Sequence, residues 1–584
     1  MRKSNTAEGS THSHLVLAKE CKLPRPLALI LQQRGVDSPE KVSRFLYPDF
    51  SMLPVPGLMK GVEAGVSCIV QAVKKNKPIV VHGDYDVDGV TATVLLVDFF
   101  RKINNNVTYY IPNRLTEQYG LTCESVRSIH QSLGSSSGVI VTVDCGITSF
   151  EAVEHAHKLG LEVVITDHHE PESDVPQAEA VINPRQKGCT FPFKELAGVG
   201  VAFFFVAALR RTLVNEGYLQ DETSVPNLKQ YLDLVALGTV ADVMPLLQTN
   251  RVLVRAGMEV LNDGRRCGIE ALCRRCGVHK HDKLFAEDIS YRLAPRINAA
   301  GRLGNVDVAV RLLLGTTQAE VETEAAMLEQ FNHTRKELEQ GVLKEMYEQC
   351  DLLLQKGYKG LAVYHPDCHP GIVGIVASRI VDRYHLPAIV VTREKEMHAG
   401  EEMLKGSGRS VQGINLLEKI ELCKQFMTRF GGHVMAVGIT LEKKKWESFQ
   451  SDFAEKCGDE IDIISKESPK KPLADCCLAD SGMLTDDLVR FLQLLQPFGE
   501  KNSEPLFQLK KVRLTGLKNS GQHLTFKLPV AASMKNIRGI GFYMAEKKEL
   551  ASSAFVDIIF KLRFTYFRGQ RRKEILLVDV TRSA

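Results

Sequence analysis

The feature that most constrains this chain lies between Pro78 and Asp242, where short apolar runs alternate with segments long enough to be helices. Pro78–His82, Val107–Ile111, Gly138–Val143 and Glu162–Thr166 read as buried strands, with Ser149–Gly160 as one of the crossover helices. Strands alternating with helices predict a mostly parallel α/β sheet. In such a sheet the loops leaving the strand C-termini share one edge, and ligands bind there.

That edge is acidic. Val81-His-Gly-Asp-Tyr-Asp-Val-Asp-Gly89 follows the first run, Asp144 the third and Asp167-His168-His169 the fourth. Asp242 follows the apolar stretch Leu237–Ala241, which is grouped here with the strand ends. A calcium loop would account for Asp84, Asp86, Asp88 and Gly89. Its bidentate glutamate would fall at Leu95, however, and a strand is the wrong element to precede it. Taken singly, each aspartate fits a helix N-cap. Taken together, so many carboxylates cannot stay ionised side by side without cations, because each raises the pKa of the others. Two divalent metals would resolve the repulsion, create a nucleophilic hydroxide and clamp phosphoryl oxygens. The mixed oxygen and nitrogen donors favour manganese or magnesium.

Further along, Val321, Leu328, Phe331, Leu338, Val342 and Met346 sit within a Glu/Lys/Gln-rich stretch and predict a long amphipathic helix over Gln318–Gly357, spanning two domains. A second α/β pattern follows, with strands at Gly360–Tyr364, Ala388–Thr392 and Met435–Leu441 and a helix at Gly374–Tyr384. Glycine-rich loops are expected at Gly406–Ser410 and Gly431–His433. From about Lys470 short alternating runs predict a small β-barrel of oligonucleotide-binding (OB) size.

Charge divides along the same line. Residues 507–584 hold 16 lysines and arginines against 5 acids, a net +11, while residues 1–506 carry −7. A basic end on an acidic body points to a polyanionic partner. Lys561–Arg568 and Arg571–Lys573 interleave cations with aromatics, so bases can stack while phosphates are neutralised. The alternative is that Phe564, Tyr566 and Phe567 are partly barrel core.

Met1–His14 is polar and reads as neither signal peptide nor anchor. The run Val199–Leu209 is shorter than the ~18 residues a bilayer needs, ends in Arg210-Arg211 and predicts a buried helix. Fourteen cysteines without a signal peptide read as reduced cytosolic thiols. Cys267, Cys273, Cys276, His279 and His281 could recruit zinc, but Ile269, Leu272, Cys273 and Cys276 share a helix face, and packing is the reading kept.

His82-x-x-x-Asp86-x-Asp88, Asp144, Asp167-His168-His169 and Asp242 are followed by Ala294–Arg302, His369–Arg379, Ser407-Gly-Arg409 and Gly431-Gly-His433. In that order they resemble the motifs of the DHH/DHHA1 phosphoesterase superfamily, and within it the bacterial single-strand-specific 5′→3′ DNA exonucleases. The resemblance runs from about Leu23 through the terminal barrel. It implies two-metal hydrolysis of single-stranded DNA to 5′-mononucleotides in recombination and repair, with Mn2+ preferred or Mg2+. It also implies a cytoplasmic, nucleoid-associated protein working with a RecQ-type helicase and a single-strand-binding protein, without membrane partners. The domains implied are a disordered tail (1–20), a DHH domain with an N-terminal extension (21–315), a connecting helix (316–357), a DHHA1 domain (358–465) and an OB domain (470–584).

Carried over residue by residue, the resemblance makes Asp86, Asp88, Asp144, His168 and Asp242 metal ligands. His82 takes the place of the first-motif histidine, as a ligand or as support behind the ligands. Asp84, an extra acid of the nuclease branch, would stand behind the ligands and serve catalysis with His169, which contacts the scissile phosphate. Arg114 and Tyr119 would hold the strand end, Ser407 and Arg409 the 5′-phosphate, and Arg302 and Arg296 the backbone. Gly431, Gly432 and His433 would approach a phosphate, or the glycines simply make a tight turn. A phosphodiesterase for dinucleotides would share these metals but lack the basic barrel, and a non-catalytic scaffold would have lost acids that are all present here.

Overall fold

The computed structural model describes residues 11–104, 106–219, 226–279, 282–394, 401–465, 472–531, 535–567 and 570–583. The first sheet contains β1 (Ile79–His82), β2 (Val107–Tyr110), β3 (Gly138–Val143), β4 (Leu161–Thr166) and β5 (Ala180–Ile182) in the order β2-β1-β3-β4-β5. Every pairing is parallel. β1 and β3 are buried along their whole length because helices cover both faces. The strand order reverses between β1 and β3, which opens a crevice at their C-terminal ends.

Helix Gly198–Asn215 holds the apolar run expected to be a buried helix. It is the one straight helix among the described residues long and apolar enough to cross a membrane, and 61% of it is buried in the core. Leu237–Ala241 is not a strand end: it closes the helix Leu232–Ala241, nearly all of which is buried. A short run that is apolar on all sides carries no period by which strand and helix can be told apart.

Helix Gln318–Gln355 starts at a capping box between Thr317 and Glu320. It buries Val321, Ala325 and Leu328 in the first core and Val342, Met346, Cys350 and Leu353 in the next. The second sheet contains β6 (Leu361–Tyr364), β7 (Ala388–Arg393), β8 (Met403–Arg409), β9 (Met427–His433) and β10 (Ala436–Glu442), ordered β6-β7-β8-β10-β9. Both expected glycine-rich loops therefore lie mostly within strands β8 and β9. At Gly406 the glycine admits close packing, since a Cβ there would stand 2.5 Å from the Val390 carbonyl oxygen.

The third sheet contains β11 (Cys476–Leu478), β12 (Phe507–Val512), β13 (Thr515–Ser520), β14 (His523–Pro529), β15 (Asn536–Gly541), β16 (Val556–Phe567) and β17 (Gln570–Arg582). Its core is shared with the start of the chain. Helices Thr11–Glu20, Arg25–Gln33 and Pro39–Leu46 send Leu17, Leu27, Leu31, Val42 and Leu46 among Phe507, Phe526 and Phe560. The expected disordered tail thus contains a packed helix from Thr11 onward, and the N-terminal extension packs with the third sheet as far as Leu46, whereas Met59 and Val62 pack in the first core. Arg251, buried in helix Gln248–Asp263, ties the two units by donating to the carbonyls of Phe45, Leu494 and Leu495 at 2.8–2.9 Å.

Cys273 is buried on helix Cys267–Arg275, as packing requires, while His281 lies outside the described residues.

Candidate metal centre and strand-binding cleft

The loop after β1 turns at once into helix Val87–Arg101, and Asp86 is its N-cap: one carboxylate oxygen accepts from the backbone N–H groups of Asp88 (2.9 Å) and Gly89 (3.1 Å). Capping occupies one oxygen and leaves the other for a ligand role, so the two readings of this aspartate are compatible. Asp88 is held from across the crevice, where the first N–H groups of helix Gly198–Asn215 donate to it from Gly198 (2.6 Å) and Val199 (2.9 Å). Residue 198 must be glycine, because a Cβ would fall 2.8 Å from the Asp144 side chain. Asp144 itself sits in the left-handed region at φ +59°, an uncommon conformation for a non-glycine residue.

Three sets of side chains converge: Asp84, Asp86 and Asp144; Asp88, His168 and Asp242; and Asp144, His168 and His169. Within each set the donor atoms lie within 4.8 Å of one another. His168 Nε2 stands 3.0 Å from Asp144, 3.6 Å from Asp242 and 3.9 Å from Asp88. Oδ1 of Asp84, Oδ1 of Asp144 and Oδ2 of Asp242 are all buried without a hydrogen-bond partner. An orphaned buried acceptor costs ~1–3 kcal/mol, more if charged. Three together, beside an imidazole, fit divalent cations.

The electrostatics agree. Burial, reinforced by Asp86, pushes Asp88 up to about 7, and burial with Asp88 and Asp86 pushes Asp242 up to about 9. Asp84 and Asp144 are raised as well, by burial first and then by neighbouring carboxylates. Burial lowers His168 to about 4, leaving the neutral imidazole that metal ligation needs. His169 goes the other way. Burial opposes its charge, but its Nδ1 donates to Asp167 at 2.8 Å, and this bond with the charges of Asp167, Asp242 and Asp84 raises it to about 9. Burial likewise opposes the charge on Asp167, yet the His169 hydrogen bond holds that carboxyl below its usual range. Asp167 also accepts from the N–H groups of Ile147, His168 and His169, which makes it the brace of this loop.

His82 stands apart from all three sets. It is the last residue of β1, fully buried, stacked on Tyr110 at 5.6 Å between ring centres, with Nδ1 3.6 Å from the Cys145 thiol. Asp84, expected behind the ligands, stands with Asp86 and Asp144 in one convergent set. The cause is local: His82 is still inside the strand, whereas Asp84 has cleared its end.

On the substrate side, Tyr119 donates to the Asp144 carbonyl (3.2 Å) and meets Tyr85 and His169 edge-on. Arg114 lies 4.8 Å above the Tyr85 ring. Arg302 donates to the Gly371 carbonyl (3.1 Å) and so reaches the second domain. It is lowered to about 9, by burial first and then by Arg114, Arg409 and Arg335. Arg409 donates to Ser407 Oγ (2.7 Å) and to the Gly408 carbonyl. Arg114, Arg302 and Arg409 thus gather positive charge at the domain junction, while Arg335 nearby is paired with Glu339 at 3.2 Å and donates to Asn332. Arg335 gave no signal in sequence, being one cation on a Glu-rich helix, whereas Tyr85 stood in plain view inside the acidic motif.

Two expected contacts are engaged elsewhere. Arg296 is paired with Glu329 of the long helix and donates to the Arg292 carbonyl. Gly432 lies within β9 with φ +146°, and a Cβ there would strike the Ala436 carbonyl oxygen at 2.3 Å, so the strand pairing itself needs the glycine. Gly431 and His433 are exposed beside it in β9. In the basic patch, Phe564 is core, and Lys561, Arg563 and Lys573 face Glu504, Glu287 and Asp486. The side chains of Tyr566 and Phe567, together with Arg568 and Arg571, lie outside the described residues.

Family models match the DHH family, N-terminal domain, at residues 78–239, the DHHA1 domain at 357–459 and the RecJ OB domain at 475–579. The single-stranded-DNA-specific exonuclease RecJ of Escherichia coli is 38% identical over 574 residues, 96% of each chain. That of Bacillus subtilis is 33% identical over 96% of this chain and 69% of its own. A crystal structure of RecJ in complex with Mn2+ from Thermus thermophilus gives a TM-score of 0.78 at 29% identity, over 98% of this chain and 78% of that one. A crystal structure of exonuclease RecJ bound to manganese gives 0.59 at 32% identity, over 71% and 98%.

Proposed function

The chain belongs to the RecJ family of single-stranded-DNA-specific exonucleases, and from that premise we propose how its residues divide the work. It is a metal-dependent nuclease that hydrolyses phosphodiester bonds of single-stranded DNA, with manganese or magnesium as cofactor. The bound ions supply an activated water and a positive clamp for the phosphoryl oxygens. Asp84, Asp86 and Asp144 would hold one ion, and Asp88, His168 and Asp242, with Asp144 beside them, the other. The observation carrying this reading is the trio of buried, unpartnered carboxylate oxygens within the convergent sets.

His169, held through Nδ1 by Asp167 at 2.8 Å, is positioned to contact the scissile phosphate with its other ring nitrogen. His82 supports β1 from within. The forked guanidinium of Arg409 and the Ser407 hydroxyl receive a 5′-terminal phosphate. Arg114 and Arg302 neutralise the next phosphates, and Tyr119 stacks on a base. A pocket that takes the terminal phosphate favours 5′→3′ degradation to mononucleotides. A helicase of RecQ type and a single-strand-binding protein would deliver such strands, in the cytoplasm beside the nucleoid. Residues 47–315 form the DHH domain, 316–357 the connecting helix, 358–465 the DHHA1 domain, and 472–583 with 11–46 the OB domain.

Asp144→Ala tests the centre. Cleavage of a 5′-phosphorylated single strand in Mn2+ should fall below detection while strand binding is largely kept, and persistent activity would refute the assignment.

A further inference from the structure

Two uncommon backbone conformations open onto one cleft. Helix Leu232–Ala241 ends in a Schellman motif, in which the N–H groups of Val243 and Met244 bond the carbonyls of Val240 (3.3 Å) and Thr239 (3.2 Å). The left-handed position of that motif, normally glycine or asparagine, is Val243 at φ +56°. A β-branched residue there is a true outlier. Burial does not compensate for it, because Val243 is 65% exposed, directly beside Asp242. Bordering the same cavity, Ile289–Leu293 forms a π-turn, a rare element concentrated at functional sites, and it leaves Tyr291 77% exposed.

Both side chains line a cavity of about 1390 Å3 between the first domain and the C-terminal one. Its walls carry seven acids against five lysines and arginines, and none of Arg114, Arg302 and Arg409 is among them. Lys561, Arg563 and Arg292 are paired with Glu504, Glu287 and Asp288 of the same wall, so it offers phosphates little free positive charge, unlike the arginine cluster at the other junction. A single strand that runs past this cavity to the metal centre would turn its backbone to the arginines and its bases to this wall.

We infer that Val243 and Tyr291 form a base-contacting wall of the strand path, with Tyr291 as stacking platform and Val243 as an apolar stop beside the metal ligands. The inference rests on the single-strand nuclease reading and assigns it a second face. Base–aromatic stacking carries enough energy for a Tyr291→Ala variant to lose about tenfold in KM with kcat little changed. Val243→Gly should raise KM several-fold while raising Tm or leaving it unchanged, since glycine suits the left-handed position.

The decisive measurement compares an ordinary oligonucleotide with one carrying abasic residues, by KM and by fluorescence anisotropy with chelator present. On the abasic strand both variants should match the unaltered protein. An equal loss on both strands, or no loss on the ordinary one, overturns the inference, and a lower Tm for Val243→Gly overturns the strain argument. Anisotropy reads binding without cleavage, so a protein that binds bases through this wall yet never cleaves would refute the nuclease reading alone.

Discussion

The metal centre and the arginine cluster face the same crevice but are assembled differently. The acids come mostly from successive loops of one sheet, gathered at the reversal between β1 and β3, with Asp242 added by a helix end. The arginines come from a loop, a helix and a strand belonging to two domains, brought together by the 38-residue helix Gln318–Gln355 and by the Arg302 contact to Gly371. Chemistry is therefore built into one domain, whereas the grip on the strand exists only when two domains dock. Damage to the centre should abolish turnover with binding intact, and damage to the cluster should weaken binding with the centre intact.

The sharpest break of that comparison is within the centre itself. Asp84→Asn should remove cleavage, while His82→Ala, supporting from inside the sheet, should cost on the order of 10–100-fold. Steady-state rates at saturating Mn2+ decide it, and a His82 variant worse than the Asp84 one would return the histidine to the ligand set. Next in size, Arg409→Ala should raise KM for a 5′-phosphorylated strand by roughly 10–100-fold, the value of a charged hydrogen-bonded pair. It should leave a 5′-hydroxyl strand nearly unaffected. Arg296→Ala is the control: its partner is Glu329, so it should lower Tm and spare KM.

The smallest effect is on stability. Asp88 and Asp242 titrate near 7 and 9 in the folded chain, above their unfolded value of about 3.9. Their contribution is complete below about pH 4 and is lost as pH rises through 7 to 9. His169, raised to about 9, loses its contribution in the same direction. His82 and His168, lowered to about 4, act oppositely, but only below about pH 6.5. Chelated protein should thus lose Tm between pH 6.5 and 9, and Mn2+ should flatten the slope. A Tm that rises with pH under chelation would contradict the buried carboxylates.

Much of the centre was legible because β1, β3 and β4 are buried on both faces and so read as continuous apolar runs ending in acids. Asp242 was legible as a ligand candidate but not as a helix cap, since Leu237–Ala241 has no polar face to betray its period. Asp84 falls within a convergent set and His82 outside all three because β1 ends at His82, as the apolar run does, and only the residues beyond it turn into the crevice. Gly406 and Gly432 looked like loop residues because their close strand contacts are made with Val390 and Ala436, neither of which a local pattern reveals. The union of residues 11–46 with the C-terminal domain left no local trace at all.

That union fixes when the molecule can be finished. Leu27 and Leu31 leave the ribosome about 480 residues ahead of Phe507, and further still ahead of Phe526 and Phe560, which cover them. At about 5–20 residues per second, roughly half a minute to two minutes separates the two halves of one core. Through that interval the three helices wait without their partner, and removing residues 472–583 from the gene would leave them waiting permanently.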